Sequence, residues 1–559
     1  MNYRRLGRTN LSVSVVGFGT CQLRLVPERQ AIDTLRRGFE LGVNLVHTAP
    51  DYEGADDLIV RALKETPADV IVCNQGWGPI DLFERTFEDT CEKFGKERLE
   101  LFGITCIEDR EAAGDNLWGP RGLADFLLRK KEEGRLGGIF CTTHKPPEYI
   151  KRLLSTDIFD ALMISYNLLG FHLLSECDPP PAESRGKDTF ERAVLRIRQE
   201  QGFESLPRNQ AEVFPLAQQR DIGLMIMKPL AGGLLCEGKA FPARAPLVPE
   251  SSRVGATRAL RHILQHPEVA CVVPGTASVA EAEENALAGH GVLTLSGEDV
   301  QEIGTRRRSL DTTLCSRCGQ CVTSCSQDLA IPWLFRASYI SLFPGETFET
   351  PDEFEYFRLH PGHEPSCGAC PDVTCSCPAG LDIPASLIRI HGPMLELAEQ
   401  GLVPGPSALP ASGTRGLLGR ARALGNALLR RTSLAARVVI RDVPVRLSPR
   451  GSAVCRLFLE NQGRQSWVGG ARPGGPRTAL LVYVGDRLHQ EVALRYEVEP
   501  GRRGHFTFDL LAPEVCGPHR LRFDLVVETG SSGRQTLSLL TTTLVVEEMA
   551  RDAAPGGEE

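Results

Sequence analysis

Eight short apolar runs alternate with amphipathic helical stretches between residues 11 and 292. The first run is LSVSVVGFG at residues 11–19, and the last is ACVVPG at residues 270–275. A strand followed by a helix, repeated eight times over roughly 280 residues, is typical of the TIM barrel, a parallel α/β fold. A doubly wound sheet would need a Gly-x-Gly-x-x-Gly turn after its first strand, and the sequence has none there. The pattern therefore predicts a TIM (β/α)8 barrel over residues 1–300.

The whole chain of 559 residues is too long for one hydrophobic core, so we expect several domains. A stretch at 170–208 interrupts the barrel rhythm after the sixth strand, on the face where barrel active sites are built. The parts predicted after the barrel are an α-helical, cysteine-rich module at 301–395, a basic linker at 396–435, an all-β sandwich at 436–549 and a disordered tail at 550–559.

Composition limits the classes of function. Hydrophobic residues make up 42% of the chain and charged residues 24%, and the net charge is −8. These values are typical of a globular protein, and the acidic balance argues against the coating of nucleic acid. No apolar run approaches the roughly 18 residues that span a bilayer, and the N-terminus lacks the apolar core of a signal peptide. We therefore expect a cytoplasmic protein with no nucleic-acid partner and no transmembrane segment.

Eight of the 18 cysteines fall in two short windows. The first window, CSRCGQCVTSC, places Cys315, Cys318, Cys321 and Cys325 at the C-x2-C-x2-C-x3-C spacing of bacterial ferredoxins. Clustered cysteines in a reducing compartment favour a metal centre over disulfides. Zinc sites usually pair two C-x2-C motifs, which would leave the third cysteine unused, so the spacing favours a 4Fe–4S cluster.

The second window, CGACPDVTCSCP, holds Cys367, Cys370, Cys375 and Cys377. Val373 stands where the ferredoxin spacing has its third ligand, so Cys375 replaces that ligand only through a rearranged loop. If the windows exchange their last ligands, one cluster takes Cys377 with the first three cysteines of the first window. The other takes Cys325 with the first three cysteines of the second window. We expect the first cluster to form, and the second is left open between a distorted 4Fe–4S cluster, a three-iron cluster and an empty site.

Several motifs of the barrel region occur in a familiar order. The chain opens with YRRLGRTNLSVSVVGFGT, continues with GFELGVNLVHTAPDYEGADDLIVRALK, and later holds IMKPLAGGLL and VVPGTASVAEAEENALAG. From Tyr3 to about Gly291 the sequence resembles the aldo-keto reductase family. Residues 1–395 together resemble the bacterial arrangement in which such a barrel precedes a two-cluster ferredoxin module. The resemblance implies an oxidoreductase that acts on an aldehyde, a ketone or a related small molecule.

The resemblance also implies a catalytic set of Asp, Tyr, Lys and His, in which the tyrosine gives a proton to the carbonyl as hydride arrives. Tyr52 matches the tyrosine, but His47 stands at the aspartate position, Gln75 at the lysine position and Thr105 at the histidine position. An uncharged Gln75 cannot activate a phenol through its charge. Tyr52 and His47 are therefore the candidate catalytic residues, with His47 either a protonated neighbour or a proton relay.

The nucleotide-binding features of the family are partly changed. Met227 replaces the aromatic residue that family members stack on nicotinamide, and Thr276 and Ser278 offer hydroxyls where the family offers a cation to the 2′-phosphate. The use of NADP(H) is therefore left open. Asn167 has a structural alternative, since this asparagine more often fixes a loop. The candidate cofactor-binding residues are His144, Asn167, Lys228, Gly275, Ser278, Glu284 and Asn285.

Two functions fit these observations. The first is an iron–sulfur oxidoreductase for a small carbonyl compound, with electrons relayed through 4Fe–4S clusters to or from a redox partner protein, with or without NADP(H). The second is a non-catalytic barrel that serves as a scaffold or a ligand-binding module beside an electron-transferring ferredoxin part. The C-terminal strands resemble immunoglobulin-like sandwiches, which implies binding of a glycan, a partner or a second subunit and places Trp467 in the core.

Overall fold

The structure is a computed structural model that describes most of the barrel and parts of the segments after it. The predicted insertion at 170–208, Cys318, most of the basic linker and the tail at 550–559 lie outside the described residues. The described residues are 1–50, 52, 54–107, 116–145, 147–169, 210–236, 253–315, 321, 324–327, 329, 331–342, 356–359, 366–399, 403, 405–406, 434–443, 446–468, 477–494, 498, 503–529 and 533–546.

The chain divides into two compact units. The first comprises Met1–Leu23 and Arg29–Leu409, and the second comprises Arg24–Glu28 and Pro410–Glu559. The boundary expected at residue 300 falls inside a helix, Gly297–Asp311, so the chain after the barrel continues within the first unit.

Eight parallel strands form the barrel, and each is hydrogen-bonded to the next in chain order. Backbone bridges from Val16 to Val272 and from Gly19 to Gly275 join the first of these strands to the eighth and close the barrel. This arrangement confirms the predicted TIM barrel. The strands are β1 Tyr3–Arg5 and β2 Ser12–Ser14 in a preceding hairpin, and β3 Phe18–Gly19, β4 Leu45–His47, β5 Ile71–Gly76, β6 Leu99–Ile104, β7 Leu136–Thr143, β8 Ala161–Ser165, β9 Gly223–Met227 and β10 Val269–Val273 in the barrel.

Amphipathic helices cover the outside of the barrel. In the first of them, Ala31, Ile32, Leu35 and Phe39 share one buried face, which is the helical repeat of a surface helix. The helix that ends at Phe94 stops at Gly95, whose left-handed φ of 63° closes the last turn. The helices are α1 Glu28–Glu40, α2 Ala55–Glu65, α3 Ile80–Phe94, α4 Leu123–Glu132, α5 Pro147–Leu154, α6 Phe214–Gln219, α7 Ala256–Leu264 and α8 Val279–Ala288.

Strand alternation determines which side chains reach the barrel interior. One buried cluster inside the barrel contains Leu45, Cys73, Leu101, Phe140, Met163 and Met225. Side chains two residues further along the same strands also face inward, but they lie nearer the carboxyl ends. In five of the strands these next inward residues are His47, Gln75, Thr142, Ser165 and Met227.

A buried carboxylate connects several elements at the amino-terminal end of the barrel. The Asp160 side chain, just before β8, is 3% exposed. It accepts hydrogen bonds from Arg8 Nε at 2.9 Å, Lys131 Nζ at 2.6 Å and the Ile139 N–H at 2.8 Å. Two cations and one amide compensate for the burial of its charge. Asp160 therefore links β7, α4 and the chain after β1 at the end opposite the strand carboxyl termini.

The helices after the barrel belong to the same hydrophobic core as the barrel helices. Ile303, Leu310 and Leu334 are members of that core, together with the buried Cys315 and Cys325. The first of these helices begins after Ser296, because Ser296 and Asp299 form a reciprocal capping box. These helices are α9 Gly297–Asp311, α10 Ile331–Leu342, α11 Tyr356–Leu359 and α12 Ile383–Glu399.

The second unit contains two antiparallel groups of strands, one of three strands and one of five with a short parallel pair at its edge. One hydrophobic core holds residues of both sheets, including Leu457, Phe506, Leu480 and Phe523. Trp467 is 1% exposed in this core, as predicted. The strands are β11 Ala436–Asp442, β12 Arg446–Leu447, β13 Ser452–Asn461, β14 Arg477–Val484, β15 Arg487–Ala493, β16 Arg503–Leu511, β17 Gly517–Thr529 and β18 Gly533–Val546.

Among the described residues, no helix combines the length and the apolar character needed to cross a membrane.

Candidate functional site

A layer of buried polar side chains lies at the carboxyl ends of the barrel strands. Several polar atoms of this layer are shielded from solvent and have no hydrogen-bond partner within the described part of the chain. Buried polar atoms normally have a partner, because an unpaired one costs free energy. Their concentration at the end where barrel enzymes bind substrates marks the floor of a binding site. These atoms are Gln22 Oε1, His47 Nε2, Gln75 Oε1, Thr105 Oγ1 and Ser165 Oγ.

The two candidate catalytic side chains are neighbours. The rings of His47 and Tyr52 meet edge to face, with 5.8 Å between their centroids. Burial lowers the pKa of His47 to about 4, and the Gln75 side chain beside it partly opposes that shift. His47 is therefore neutral near pH 7, which removes the protonated-neighbour role considered from the sequence. The role that fits is a proton relay.

The residue at the lysine position is held by the strand that carries it. Gln75 is 3% exposed, and its backbone N–H donates to Asn74 Oδ1 at 2.8 Å. Asn74 in turn donates to Thr90 Oγ1 on α3 at 3.0 Å. The orientation of Gln75 is thus supported from outside the barrel, and it presents an uncharged amide beside His47.

A thiol and an imidazole meet at the ends of two neighbouring strands. Cys106 follows β6, His144 follows β7, and Cys106 Sγ lies 3.8 Å from His144 Nδ1. The Cys106 N–H donates to Thr142 Oγ1 at 2.7 Å. The sequence places His144 near a cofactor but does not pair it with Cys106. The sequence could have predicted this pair, since Cys106 and His144 follow adjacent parallel strands, and such residues meet at the same edge of the barrel.

Two candidate cofactor residues make loop contacts. Asn167 Oδ1 accepts the Leu169 N–H at 2.9 Å, and the Asn167 side-chain amide donates to the Lys228 carbonyl at 3.4 Å. Lys228 has a left-handed φ of 57°, so this hydrogen bond lies at a strained point of the backbone. Asn167 therefore joins the ends of β8 and β9.

Side chains of α8 and of the residue before it bind the backbone amides around the start of α8, the candidate nucleotide-binding site. Ser278 caps α8 by accepting the Glu281 N–H, and Glu281 Oε2 accepts the Ala277 N–H at 2.7 Å. Glu284 accepts the Ala256 N–H at 3.1 Å. Two amides at this helix start are thus already used, and carboxylates lie beside them, which disfavours a phosphate group there.

The remaining candidates at this end also have internal roles. The Asn285 side-chain amide donates to Thr276 Oγ1 at 3.1 Å. A side chain at Gly275 would collide with the Gln22 amide, which fills the space above it. Asn285 and Gly275 thus have contacts within the chain, and the binding of NADP(H) at this end of the barrel stays a prediction.

The cysteine windows approach each other through Cys325. The pKa of Cys367 is raised to about 11, first by burial and then by the neighbouring thiols of Cys325, Cys375 and Cys370. Burial and the thiol of Cys325 likewise raise the pKa of Cys375. Ser326 Oγ lies 3.4 Å from Cys370 Sγ. The four cysteines assigned to the second cluster are therefore neighbours.

No three His, Cys, Asp or Glu side chains of the described residues form a site for a single metal ion. A 4Fe–4S cluster binds each cysteine to a different iron atom, so its ligands surround a cluster and do not converge on one ion. Within the set assigned to the first cluster, Cys315 and Cys321 are buried and Cys377 is half-buried. The thiol donors of the second set are of the kind that an iron–sulfur cluster binds, and they act on one another's pKa values.

The known proteins that this chain resembles match about half of its length. An L-galactose dehydrogenase of Arabidopsis thaliana is 25% identical over 315 residues, which are 51% of this chain and 87% of that protein. The holo form of an aldo-keto reductase from Bacillus halodurans is 20% identical over 55% of this chain and 96% of its own, with a TM-score of 0.39. A glycerol dehydrogenase from Gluconobacter oxydans is 15% identical over 55% of this chain and 94% of its own, with a TM-score of 0.39.

The fold defines the class of the first unit, a TIM barrel with a polar site at its carboxyl end. Over this barrel the chain is thus similar to a dehydrogenase. No family model matches the chain.

Proposed function

We propose that the protein is an iron–sulfur oxidoreductase that acts on a small carbonyl compound at the carboxyl end of the barrel. One observation carries the proposal: Cys325 of the first window lies among Cys367, Cys370 and Cys375 of the second. The exchange of a last ligand between two windows is how two-cluster ferredoxins are built. This proximity supports the ligand set that the spacing predicts.

The two clusters have separate ligand sets in this proposal. The first is held by Cys315, Cys318, Cys321 and Cys377, and the second by Cys325, Cys367, Cys370 and Cys375. When bound, such clusters supply or accept single electrons. A redox partner protein is the proposed source or acceptor of those electrons.

In the barrel, the chain's own residues handle protons and orientation. Tyr52 holds a proton at its phenolic oxygen, and the neutral His47 beside it relays a replacement proton. Gln75 and Ser165 offer polar atoms that have no partner within the described residues, and these atoms orient a polar substrate. Gln75 and His47 both lack positive charge near pH 7, so the phenol has no cationic neighbour among the residues at the family's catalytic positions. This fits chemistry in which electrons come from clusters better than hydride transfer.

A second candidate, a non-catalytic barrel beside an electron carrier, is favoured by one observation. The α8 end of the barrel is self-capped and acidic, so the nucleotide of the related reductases is disfavoured there. Titration of NADPH against protein fluorescence tests nucleotide binding, and turnover of a probe aldehyde separates the two candidates. A barrel that binds neither NADPH nor aldehydes supports the second candidate.

Iron and sulfide analysis of anaerobically purified protein tests the clusters. Two 4Fe–4S clusters give about eight iron atoms and about eight sulfides per chain. Replacement of one ligand in Cys375→Ser should reduce both numbers to about four, because only the second cluster loses a ligand. The exposed Cys516 supplies the control, and Cys516→Ser should retain the full content. Protein that contains zinc, or no metal at all, would contradict the proposal.

A further inference from the structure

We infer that Cys106 and His144 form a nucleophilic thiol–imidazole pair, which captures an aldehyde as a reversible covalent adduct at the carboxyl end of the barrel. The pair goes beyond the proposed oxidoreductase function, because adduct formation needs neither iron–sulfur clusters nor a nucleotide.

The geometry of the pair places a base beside the nucleophile. Cys106 Sγ lies 3.8 Å from His144 Nδ1, within the range of a sulfur hydrogen bond. An adjacent imidazole accepts a thiol proton and leaves the more nucleophilic thiolate. Both residues are half-buried, so neither is sealed inside the barrel core.

The backbone position of Cys106 is fixed by the neighbouring strand. Its φ is 40°, a left-handed value that costs free energy in a residue other than glycine. The hydrogen bond from the Cys106 N–H to Thr142 Oγ1, at 2.7 Å, helps to hold this conformation. Thr142 is 2% exposed and lies two residues after Phe140 of the barrel interior, so the anchor itself is rigidly placed.

Independent polar atoms flank the pair and indicate a ligand. Gln75 and Ser165 are 3% and 5% exposed and face inward by strand alternation, and among the described residues their buried oxygens have no partner. Thr105 Oγ1, next to Cys106 in the chain, is likewise buried without a partner in the described part of the chain. Gln75 lies on β5 and Ser165 on β8, the strands on either side of the two that end at Cys106 and His144. The hydroxyls of Thr105 and Ser165 are donors that suit the oxygen of a carbonyl group.

The proposed step conserves atoms and electrons. The Cys106 thiol proton passes to the His144 imidazole, and the sulfur forms a bond to the carbonyl carbon of the aldehyde. The carbonyl π pair moves to oxygen, which takes the proton back from the imidazolium. The product is a hemithioacetal, nothing is oxidised or reduced, and the reverse reaction releases the aldehyde. Aldehydes are the expected class, because ketones are more hindered and add thiols less readily.

Peptide-resolved alkylation by iodoacetamide at pH 7 tests the pair in the full-length protein under anaerobic conditions. A thiol beside an imidazole carries more thiolate than an ordinary one, so Cys106 should react about tenfold faster than the exposed Cys516. His144→Ala should reduce the Cys106 rate to that of Cys516 or below, although the smaller side chain opens access to the sulfur.

Propanal gives a second readout that needs no variant. It should protect Cys106 from alkylation but leave Cys516 unprotected, and acetone at the same concentration should protect neither. A Cys106 that reacts no faster than Cys516, or that propanal does not protect, overturns the inference. So does an unchanged rate in a folded His144→Ala variant. Iron-free protein with a fast, propanal-protected Cys106 would overturn the proposed function alone.

Discussion

The ring of Tyr52 stands edge to face against the ring of His47, at an interplanar angle of 76°. The buried His47 ring also meets the ring of Phe140 edge to face, with 6.4 Å between those centroids. Burial keeps the imidazole neutral near pH 7, so His47 is not a cationic neighbour of the tyrosine. The chemistry available to Tyr52 therefore differs from that of a tyrosine paired with a lysine.

The first prediction concerns the Tyr52 hydroxyl. Tyr52→Phe should lower kcat for propanal reduction by about 10²- to 10⁴-fold, because general acid catalysis contributes this much. The assay follows the oxidation of reduced methyl viologen by the intact protein. Tyr3→Phe is the control, since the Tyr3 hydroxyl donates to the Gly42 carbonyl in the hairpin region, away from the strand ends. An unchanged kcat in Tyr52→Phe would show that the hydroxyl has no catalytic role.

The second prediction concerns pH and stability. The unfolded chain protonates His47 near its ordinary pKa of 6.5, whereas the folded protein does so only near 4. The unfolded state therefore binds more protons between these values, and the free energy of unfolding falls as the pH is lowered through this window. The shift corresponds to about 3 kcal/mol at its full extent.

His47→Gln should remove this dependence, because glutamine does not titrate. Urea unfolding of wild type and variant at about pH 7 and about pH 4.5 measures the difference. The variant should lose less stability than the wild type on acidification, whatever its stability at neutral pH. Parallel curves for the two proteins would mean that His47 is not buried in its neutral form.

The third prediction concerns the buried carboxylate at the other end of the barrel. Asp160→Asn should destabilise the first unit by about 3 kcal/mol, because Arg8 and Lys131 then lose their buried anionic partner. Chemical denaturation measures the loss. Asp157→Asn provides the comparison, since the Asp157 side chain is 75% exposed and forms a 3.6 Å ion pair with Arg220. Equal effects of the two substitutions would contradict the role assigned to Asp160.

The fourth prediction concerns the close packing of Phe140 against Gly103. A Cβ atom at Gly103 would lie 2.7 Å from Phe140 Cδ1 and still closer to the Phe140 carbonyl oxygen, so Gly103→Ala forces strands β6 and β7 apart or displaces the ring. We expect a loss of about 2 kcal/mol in unfolding free energy. Gly297→Ala is the matched control, because a Cβ at Gly297 would meet no atom of the described residues within 4 Å outside its chain neighbours and its own helix backbone. A Gly103→Ala protein as stable as the control would show that the core adjusts freely.

Local patterns in the sequence were sufficient to predict the barrel fold. Each apolar run became a strand because a run buried on both faces has few alternatives, and the run ALMISY contains β8. The boundary at residue 300 was harder to locate, since α9 begins at the Ser296 cap and its apolar residues join the core of the barrel helices. Whether residues share a core depends on tertiary packing, which has no local signature.

The candidate site was predictable only in part. His47 and Tyr52 are close in sequence, so their proximity follows from the strand end and the turn that joins them. Cys106 and His144 are separated by 38 residues, and their contact depends on the register of two neighbouring strands. Burial lowers the pKa of His47, and burial of one imidazole cannot be deduced from residue identity alone.

The hydrogen bonds of Asp160 have a consequence for protein engineering. They connect the elements of the barrel at the end away from Tyr52 and Cys106. The contacts that stabilise the barrel there and the candidate reactive residues therefore lie at opposite ends of the barrel. The loops after the strands can consequently be randomised in search of new reactivity, while the residues at the amino-terminal end of the barrel are kept. The Arg8–Asp160–Lys131 triad is the part that such a library should hold constant.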